Sequence, residues 1–443
     1  MHHTGVIDQA TDDSARTRSA ERVAERRSRE GRPEGGQPPP GRSERRSAAD
    51  RRRRRRRRIR IRRAVALVVV AGMLFGVVSA VGAVTEPGNA ALSVRWVEWV
   101  RGHGGARVVA IAERVWYEHH QPPVGGRPAP GLIKAHSDVK VPVSAPGVAH
   151  LPAPPSIAPI VTPALAGEGQ WRPAGPLVDG VPAIYVADLR PDPVHTSLVA
   201  AVAWMDPTLL SFRLFAGAQE PPTGGPWKYM APIASSLRPT LAAAFNSGFR
   251  MQDAQGGYYA EGKTAVPLVK GAASLVIFRN GQATVGQWGR DVSMGSDISS
   301  VRQNLSLIVD GGHPVAGLRR APTVQCGATV GGHLLVWRSG IGVTSNGALV
   351  YAAGPGLSAY SLADVLAHAG AVRAMELDIN TDWVNYFYFD HAVGQPASPS
   401  NGQRLLPTML RPPLRYFEGT ARDFVGVFAR PRPVGHLTST PAG

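Results

Sequence analysis

The feature that most limits how this chain folds is a run of 21 uncharged residues, AVALVVVAGMLFGVVSAVGAV, at positions 64–84. As a helix the run would extend about 31 Å, close to the thickness of the hydrocarbon core of a bilayer. A secretory signal has a shorter apolar region of about 7–15 residues, followed by a cleavage site, and no such site lies at the expected distance here. The run therefore predicts one transmembrane helix in a single-pass membrane protein.

The arginines before this run predict its orientation. Residues 51–63 read RRRRRRRRIRIRR, and residues 1–63 as a whole hold 21 Lys and Arg against 9 Asp and Glu. Such a block stays on the cytoplasmic side of a span and attracts anionic lipid. Arginine blocks also serve as nucleic-acid arms or localisation signals, but the adjacent apolar run favours the membrane. We therefore expect a cytoplasmic N-terminus, anionic membrane lipid as the partner of the tail, no nucleic-acid partner, and an extracytoplasmic C-terminal domain.

An amphipathic helical segment is predicted directly after the span, over residues 85–120. Leu92, Trp96, Trp99 and Val100 recur there at helical spacing, which places them on one face of one or two helices. This aromatic face would lie on the membrane surface or pack on the later domain.

Composition divides the remaining chain. Residues 1–63 have almost no aromatic or β-branched content, which predicts a disordered basic tail. Residues 121–170 contain eleven prolines and predict an extended linker. The domain proper is expected over residues 171–430, followed by a flexible C-terminus at 431–443.

Turn signals within the domain predict an α+β fold, a mixed, hairpin-rich β-sheet core with a few helices. A glycine follows Asn280, Asn346 and Asp310, each between two apolar runs, and Asn-Gly or Asp-Gly pairs in that setting are strong hairpin signals. One helix is predicted to begin at Ser361, with a variant of the capping box, and to end at Gly370.

The strand expected after this helix, AMELDINTDW at residues 374–383, mixes core residues with oxygen-bearing side chains. Strand side chains alternate between faces, so the apolar set would pack on the preceding helix and the polar set would face elsewhere. Two carboxylates sharing a face repel and raise at least one pKa unless a cation or donors intervene. Such a pair is the arrangement that general acid–base catalysis or metal binding needs. The apolar set is Met375, Leu377 and Ile379, and the polar set is Glu376, Asp378 and Asn380.

Metal and hydrolase motifs add little. Asp378, Asn380 and Asp382 have the opening spacing of an EF-hand loop, but Trp383 and Phe389 stand where that loop needs glycine and glutamate. A calcium site of another kind, built from the same oxygens, is the alternative, and no other metal or cofactor is predicted. The single cysteine, Cys326, excludes an intrachain disulfide, and the sequence contains no HExxH or GxSxG.

Four segments in order resemble the phosphodiester glycosidase domain family. They are AAAFNSGF (242–249), WRSGIGVTSNG (337–347), SLADVLAHAG (361–370) and AMELDIN (374–380). The resemblance covers roughly residues 240–395 and implies that Asp378, Asn246 and Arg338 line a site. Where the family has Leu-Asp-Gly-Gly-Gly-Ser, this chain keeps the aspartate and replaces the glycines.

From residues and resemblance together we expect hydrolysis of the glycosidic bond of a sugar-1-phosphodiester, with a cell-envelope polysaccharide as a candidate substrate. Such chemistry normally uses two carboxyl groups. The rival interpretation is a binding module of the same fold that holds an envelope polymer without cleaving it; a third is a tethered structural protein whose tail is the functional part. The expected catalytic residues are Asp378 and Glu376, and the expected substrate-binding residues are Asn246, Arg338, Asn380 and Asp382, with Arg338 on the phosphate.

Overall fold

A computed structural model describes residues 42–85, 91–134, 149–319 and 335–431. The first 41 residues of the predicted tail, the centre of the predicted linker, Cys326 and the predicted C-terminus from residue 432 onwards lie outside the described residues.

The longest helix, α1 (Arg42–Val84), carries the arginine block and the apolar run without interruption. Residues 42–63 are therefore helical, although the sequence predicted a disordered tail there, because an apolar helix once formed extends at low cost into adjoining residues. Within the described residues, Arg51–Gly82 is the one stretch long and apolar enough to cross a membrane. A division between two units of the structure falls inside this helix, after Val77.

The predicted amphipathic segment forms two helices, α2 (Leu92–Val100) and α3 (Ala106–His119). A kink at Arg101–Gly105 separates them, because His103 and Gly104 leave helical backbone geometry.

The domain is α+β, as predicted. Its named strands all pair antiparallel, in an eight-stranded sheet of order β1-β2-β3-β14-β13-β15-β11-β12 and two five-stranded sheets of order β7-β6-β10-β8-β9 and β17-β16-β5-β18-β4. The strands are β1 (Arg172–Val178), β2 (Val181–Leu189), β3 (Ala200–Met205), β4 (Leu210–Phe215), β5 (Leu241–Asn246), β6 (Tyr258–Ala260), β7 (Lys263–Val266), β8 (Ala273–Phe278), β9 (Ala283–Gln287), β10 (Ile298–Gln303), β11 (Leu307–Asp310), β12 (His313–Pro314), β13 (Val336–Thr344), β14 (Leu349–Leu357), β15 (Ala371–Glu376), β16 (Tyr386–Phe389), β17 (Gly402–Arg404) and β18 (Phe424–Ala429).

The three predicted turns join β8 to β9, β11 to β12 and β13 to β14, which confirms the hairpins. The predicted helix is α4 (Ala359–His368), and its capping box opens at Ser358, with Ser361 as the reciprocal partner. The sequence placed the cap three residues late because two serines at that spacing each fit the pattern. Gly370 follows in a left-handed conformation at φ +93°, which a glycine adopts without strain.

Helix α4 packs on one face of the eight-stranded sheet, where Leu362, Leu366 and Ala374 share a core. Met375 belongs to a second core on the opposite face, between the sheets. The expectation that the apolar side of 374–383 packs on the preceding helix was therefore wrong, because the sheet is covered on both sides and the small Ala374 is the residue that meets the helix.

Residues 149–170, within the predicted linker, lie against the domain. Ile157 and Val161 are buried. Glu168 is buried as well and accepts hydrogen bonds from the guanidinium of Arg190, the shortest being 2.8 Å from Nη2 to Oε2. The prolines predicted an extended linker, but burial of the apolar residues between them holds the segment on the sheet.

Candidate functional site

The polar residues after α4 divide between a strand and the loop that follows it. Strand β15 ends at Glu376, so Asp378 lies beyond its end and Asn380 begins a turn. The three side chains therefore do not share one exposed strand face, as alternation alone predicted. Backbone pairing to Ser339 of β13 continues for two residues, with Leu377 N donating to Ser339 O at 2.8 Å and Ser339 N to Asp378 O at 3.0 Å, which fixes where the loop leaves the sheet.

Glu376 and Arg338 form an ion pair inside the protein. Their side chains are 0% and 1% exposed, and Arg338 Nε also donates to Leu357 O at 2.8 Å, just before the start of α4. Burial raises the pKa of Glu376, with Asp378 acting in the same direction and Arg338 opposing. The guanidinium of Arg338 is already bonded to Glu376 and to Leu357 O, so the structure places the predicted phosphate-binding arginine and the predicted catalytic partner against each other.

Asn246, at the end of β5, is held by hydrogen bonds on both ends of its amide. Its Oδ1 accepts from Tyr351 Oη at 2.8 Å and from Asn385 N at 3.1 Å. Its Nδ2 donates to Ser339 Oγ at 3.0 Å and to Ser247 O at 2.9 Å. Both the amide oxygen and the amide nitrogen of Asn246 are thus bonded within the protein. Asn246 connects β5 to β13 and has no polar atom left for a substrate in this arrangement.

Asp378 pairs with an arginine, Arg422, that the sequence did not indicate. Its Oδ1 accepts from the backbone N of Ile379 at 2.8 Å and of Asn380 at 3.1 Å, and its Oδ2 accepts from Arg422 Nη2 at 2.7 Å. Its side chain is 5% exposed. The carboxylate is thus oriented by three donors, and one of them is an arginine immediately before β18.

Three arginines surround the indole ring of Trp383. The Cζ atoms of Arg411, Arg415 and Arg422 lie 5.1, 4.9 and 5.1 Å from its centroid. All four side chains are buried. Together with Asp378 and Asp382 they form what we call the Trp383 cluster, in which three guanidinium groups meet two carboxylates.

The arginines of this cluster have donors to spare. Arg415 Nε and Nη2 and Arg422 Nη1 find no acceptor within the described residues, and the same holds for Trp383 Nε1. Burying a charged donor without a partner is costly. Guanidinium forks match the oxygens of a phosphate, so the geometry is suited to an anion with several oxygens.

Burial disfavours the charged form of two arginines in the cluster. Burial lowers the pKa of Arg411 to about 10, and Arg415 and Arg95 act in the same direction. Burial also lowers the pKa of Arg415. An incoming anion would relieve both effects, because opposite charge favours the ionised form.

Asn380 and Asp382 shape the turn that carries Trp383. Asn380 Oδ1 accepts from Asp382 N at 2.9 Å, and the backbone O of Asp382 accepts from Arg411 Nε at 3.1 Å. Burial raises the pKa of Asp382 while Arg411 and Arg415 oppose, and Asp378 adds to the rise. Asp382 is therefore more readily protonated than an exposed aspartate, and it lies beside a carboxylate held by donors.

No set of three or more His, Cys, Asp or Glu side chains gathers as a metal-ligand group within the described ranges. The oxygens of Asp378 and Asn380 that a calcium ion would use are engaged by backbone N–H groups.

A separate cavity of about 320 Å³ opens elsewhere on the domain and contains none of the predicted site residues. Four cations and a single carboxylate line it. They are Arg213, Lys228, Arg279, Arg430 and Glu261.

Sequence reasoning missed the three arginines of the Trp383 cluster because they come 28 to 39 residues after Trp383 in a stretch without a regular pattern. The available signal was the spacing of Arg411 and Arg415, four apart at a short 3-10 helix, Pro413–Tyr416.

No protein-family model matches the sequence, and no curated protein matches it. Among solved structures, the chain is similar to the zebrafish N-acetylglucosamine-1-phosphodiester alpha-N-acetylglucosaminidase catalytic domain auto-inhibited by its pro-peptide, at 15% identity and a TM-score of 0.37, over 58% of this chain and 87% of that one. It is also similar to a hypothetical protein from Synechocystis (15%, TM-score 0.32, 58% and 64%) and to a putative exported protein from Burkholderia pseudomallei (12%, TM-score 0.30, 53% and 75%). These similarities are distant and assign no activity to this chain.

Proposed function

We propose that the protein is a membrane-anchored hydrolase that cleaves the glycosidic bond of a sugar-1-phosphodiester of the cell envelope, with its domain on the extracytoplasmic side. The observation that carries the proposal is the Trp383 cluster, where spare arginine donors lie beside an oriented aspartate. The motif resemblance to phosphodiester glycosidases, which includes Asp378, supports the same chemistry.

The arginines take the role first expected of Arg338. Arg415 and Arg422 direct their spare N–H groups to the phosphate oxygens, and Arg411 adds positive charge. As the bond between the anomeric carbon and the phosphate oxygen breaks, the electron pair moves to that oxygen, and the phosphate monoester leaves with an added negative charge. Fixed donors stabilise such developing charge best in a site that excludes water.

Asp378 is the nucleophile or the base that activates water, and Asp382 replaces Glu376 as the second carboxyl group. The two carboxyl groups differ as an acid and a base should: donors hold the carboxylate of Asp378, and the pKa of Asp382 is raised. Because a phosphate is a good leaving group, protonation by Asp382 contributes little to the rate. The proposal needs no metal. The ion pair of Glu376 with Arg338 fixes the position of the end of β15.

The test incubates the full-length protein in detergent micelles with a synthetic methyl sugar-1-phosphodiester in ¹⁸O-water. Cleavage of the glycosidic bond puts the label in the reducing sugar, and the Asp378→Asn variant should release labelled sugar at least about a hundredfold more slowly. Label in the phosphate would show a phosphodiesterase and overturn the proposal, as would equal turnover by the variant.

A second candidate function is binding of an anionic envelope polymer without cleavage, and the basic cavity of about 320 Å³ favours it. Polymer retention by Asp378→Asn, lost in an Arg213→Ser/Lys228→Ser variant, would support this function. Retention unchanged by that pair of substitutions would exclude this cavity as the polymer site.

A further inference from the structure

Helices α2 and α3 expose an unusual amount of apolar surface. The residues that face inward mix apolar side chains, such as Val100 and Val109, with the charged Glu98 and Glu113, and Arg101 lies in the kink between the helices. Arg101 lies in ion pairs with both glutamates. The residues that face outward are apolar and between 38% and 68% exposed: Leu92, Trp96, Val97, Val108, Ile111, Val115 and Trp116.

These helices are tied to the end of the candidate membrane span. Trp99 Nε1 donates to Ser79 Oγ at 3.0 Å, and the same hydroxyl contacts His103 Nε2 at 2.9 Å. Leu92 is seven positions after Thr85 in the chain, a distance that extends at most about 25 Å. The exposed apolar face therefore belongs to a segment that stays close to the end of the candidate span.

The inward face of α2 contacts the loop that follows β5, where Glu98 forms an ion pair with Arg250. The neighbouring Phe249 N donates to Asn304 Oδ1 at 3.1 Å, and Asn304 Nδ2 donates to Glu376 O at 2.8 Å, which connects this loop to the end of β15. The charge of Arg95 also lowers the pKa of Arg411 in the Trp383 cluster. Helix α2 thus contacts the surroundings of the candidate site with one face and exposes tryptophan and aliphatic side chains with the other.

We propose that α2 and α3 lie in the membrane interface on the domain's side, and that the Trp383 cluster takes its substrate from that surface: a sugar-1-phosphodiester whose second ester is a lipid. Tryptophan prefers the headgroup region, and amphipathic helices with large apolar faces lie in it. The substrate class rests on the proposed function, whereas the position of the helices does not.

The first experiment places the full-length protein in vesicles that contain brominated lipids and measures quenching of tryptophan fluorescence. The Trp96→Phe/Trp116→Phe variant should lose most of the quenching. Trp204→Phe is the matched control, because that indole is 3% exposed inside the sheet, and it should keep the quenching. Unchanged quenching in the double variant would overturn the interfacial position and leave a protein partner as the occupant of this face.

The second experiment compares two diesters of one sugar in the same vesicles, one with a methyl group and one with a long-chain lipid. Cleavage of the lipid diester should be faster by about tenfold or more, since confinement raises its local concentration. A Trp96→Ser/Trp116→Ser variant should reduce this ratio and leave methyl-diester turnover unchanged.

The outcomes separate the two proposals. Equal cleavage of both diesters, or a ratio that the serine variant leaves unchanged, would overturn the lipid-linked substrate while the glycosidase stands. Cleavage of neither would overturn the proposed function and the substrate class with it, while the quenching result still decides the position of the helices.

Discussion

Glu376 and Asp378 are two residues apart in the sequence, and each is paired with an arginine. The two pairs differ in how many hydrogen-bond donors their arginines keep without an acceptor. In the Glu376–Arg338 pair, Arg338 also donates to a backbone carbonyl, and both side chains are closed off from solvent. In the Asp378–Arg422 pair, Arg422 keeps Nη1 without an acceptor among the described residues and shares the face of Trp383 with two further arginines. Within the described residues, the buried atom left without a partner in the first pair is an acceptor, Glu376 Oε2, whereas in the second it is a donor, Arg422 Nη1. The second pair is therefore the one suited to an added anion.

The comparison teaches that burial alone does not mark a functional charge. Both pairs are buried, and both carboxylates are part of one motif in the sequence. The informative quantity is the number of donors that remain after the protein's own acceptors are counted.

Asp378→Asn is expected to have the largest effect of these variants. We expect kcat to fall about 10²–10⁴-fold, the range for loss of a positioned acid or base, and the melting temperature to fall as well, because Arg422 then lies buried without its counter-charge. Turnover of the methyl diester, measured at a temperature where the variant is folded, and thermal melting separate the two effects. A folded variant that keeps its turnover would make Asp378 a second structural pair and remove the contrast.

Glu376→Gln should do the opposite and act on stability. It leaves the guanidinium of Arg338 buried without a counter-charge, which costs about 3–5 kcal/mol of unfolding free energy. Urea unfolding measures it. An Arg338→Met/Glu376→Leu double variant should recover most of the loss, because it removes both charges; failure to recover would show that the pair does more than fix the strand end.

Arg415→Gln sharpens the contrast at the second pair. Removing charge-assisted hydrogen bonds of about 1.5–3 kcal/mol should lower kcat/KM for the diester about 10- to 100-fold and weaken inhibition by inorganic phosphate to a similar degree. Arg238→Gln is the control, since Arg238 also packs on an aromatic ring, that of Phe417 at 5.0 Å, outside the cluster. A loss as large in the control would point to a general effect on folding.

The pH profile tests the role of Asp382. Burial raises its pKa above the usual range, and its protonated form is the one that donates to the leaving group. Activity should therefore decline as pH rises through that raised pKa. Asp382→Asn should lose this alkaline limb and turn over about tenfold more slowly, below the usual contribution of a general acid because phosphate leaves readily. An unchanged limb would assign it to another group.

The smallest effect is expected at an exposed pair. Arg290 contacts Asp310 at the end of β11, and the two side chains are 46% and 41% exposed. Asp310→Asn should change the unfolding free energy by about 0–1 kcal/mol, measured by urea unfolding. A cost near that of Glu376→Gln would remove burial as the reason for the difference.

The sequence predicted the parts of the fold that local physics controls. The turns at Asn280 and Asn346 are where they were expected because a glycine follows each, with φ near +82° and +88°. The core side of 374–383 was also predicted, since Met375, Leu377 and Ile379 share one hydrophobic core.

The candidate site was predicted only in half. Asp378 was chosen from its motif, whereas Arg411, Arg415 and Arg422 come back to Trp383 after the chain has passed through β16 and β17. No periodic pattern in the sequence indicates such a convergence. Arg338 was chosen for the phosphate because its guanidinium fits one, but sequence alone does not show that Glu376 already occupies it.

The segment before the first strand has a consequence for where the domain can be cut from the N-terminal helices. Because Glu168 is the counter-charge of Arg190 and Ile157 is in the core, a protease that cuts after residue 170 would release a domain with an orphaned buried guanidinium. A cut before residue 149 would leave that contact whole. A stable proteolytic fragment that contains the domain should therefore begin about twenty residues earlier than its first strand suggests.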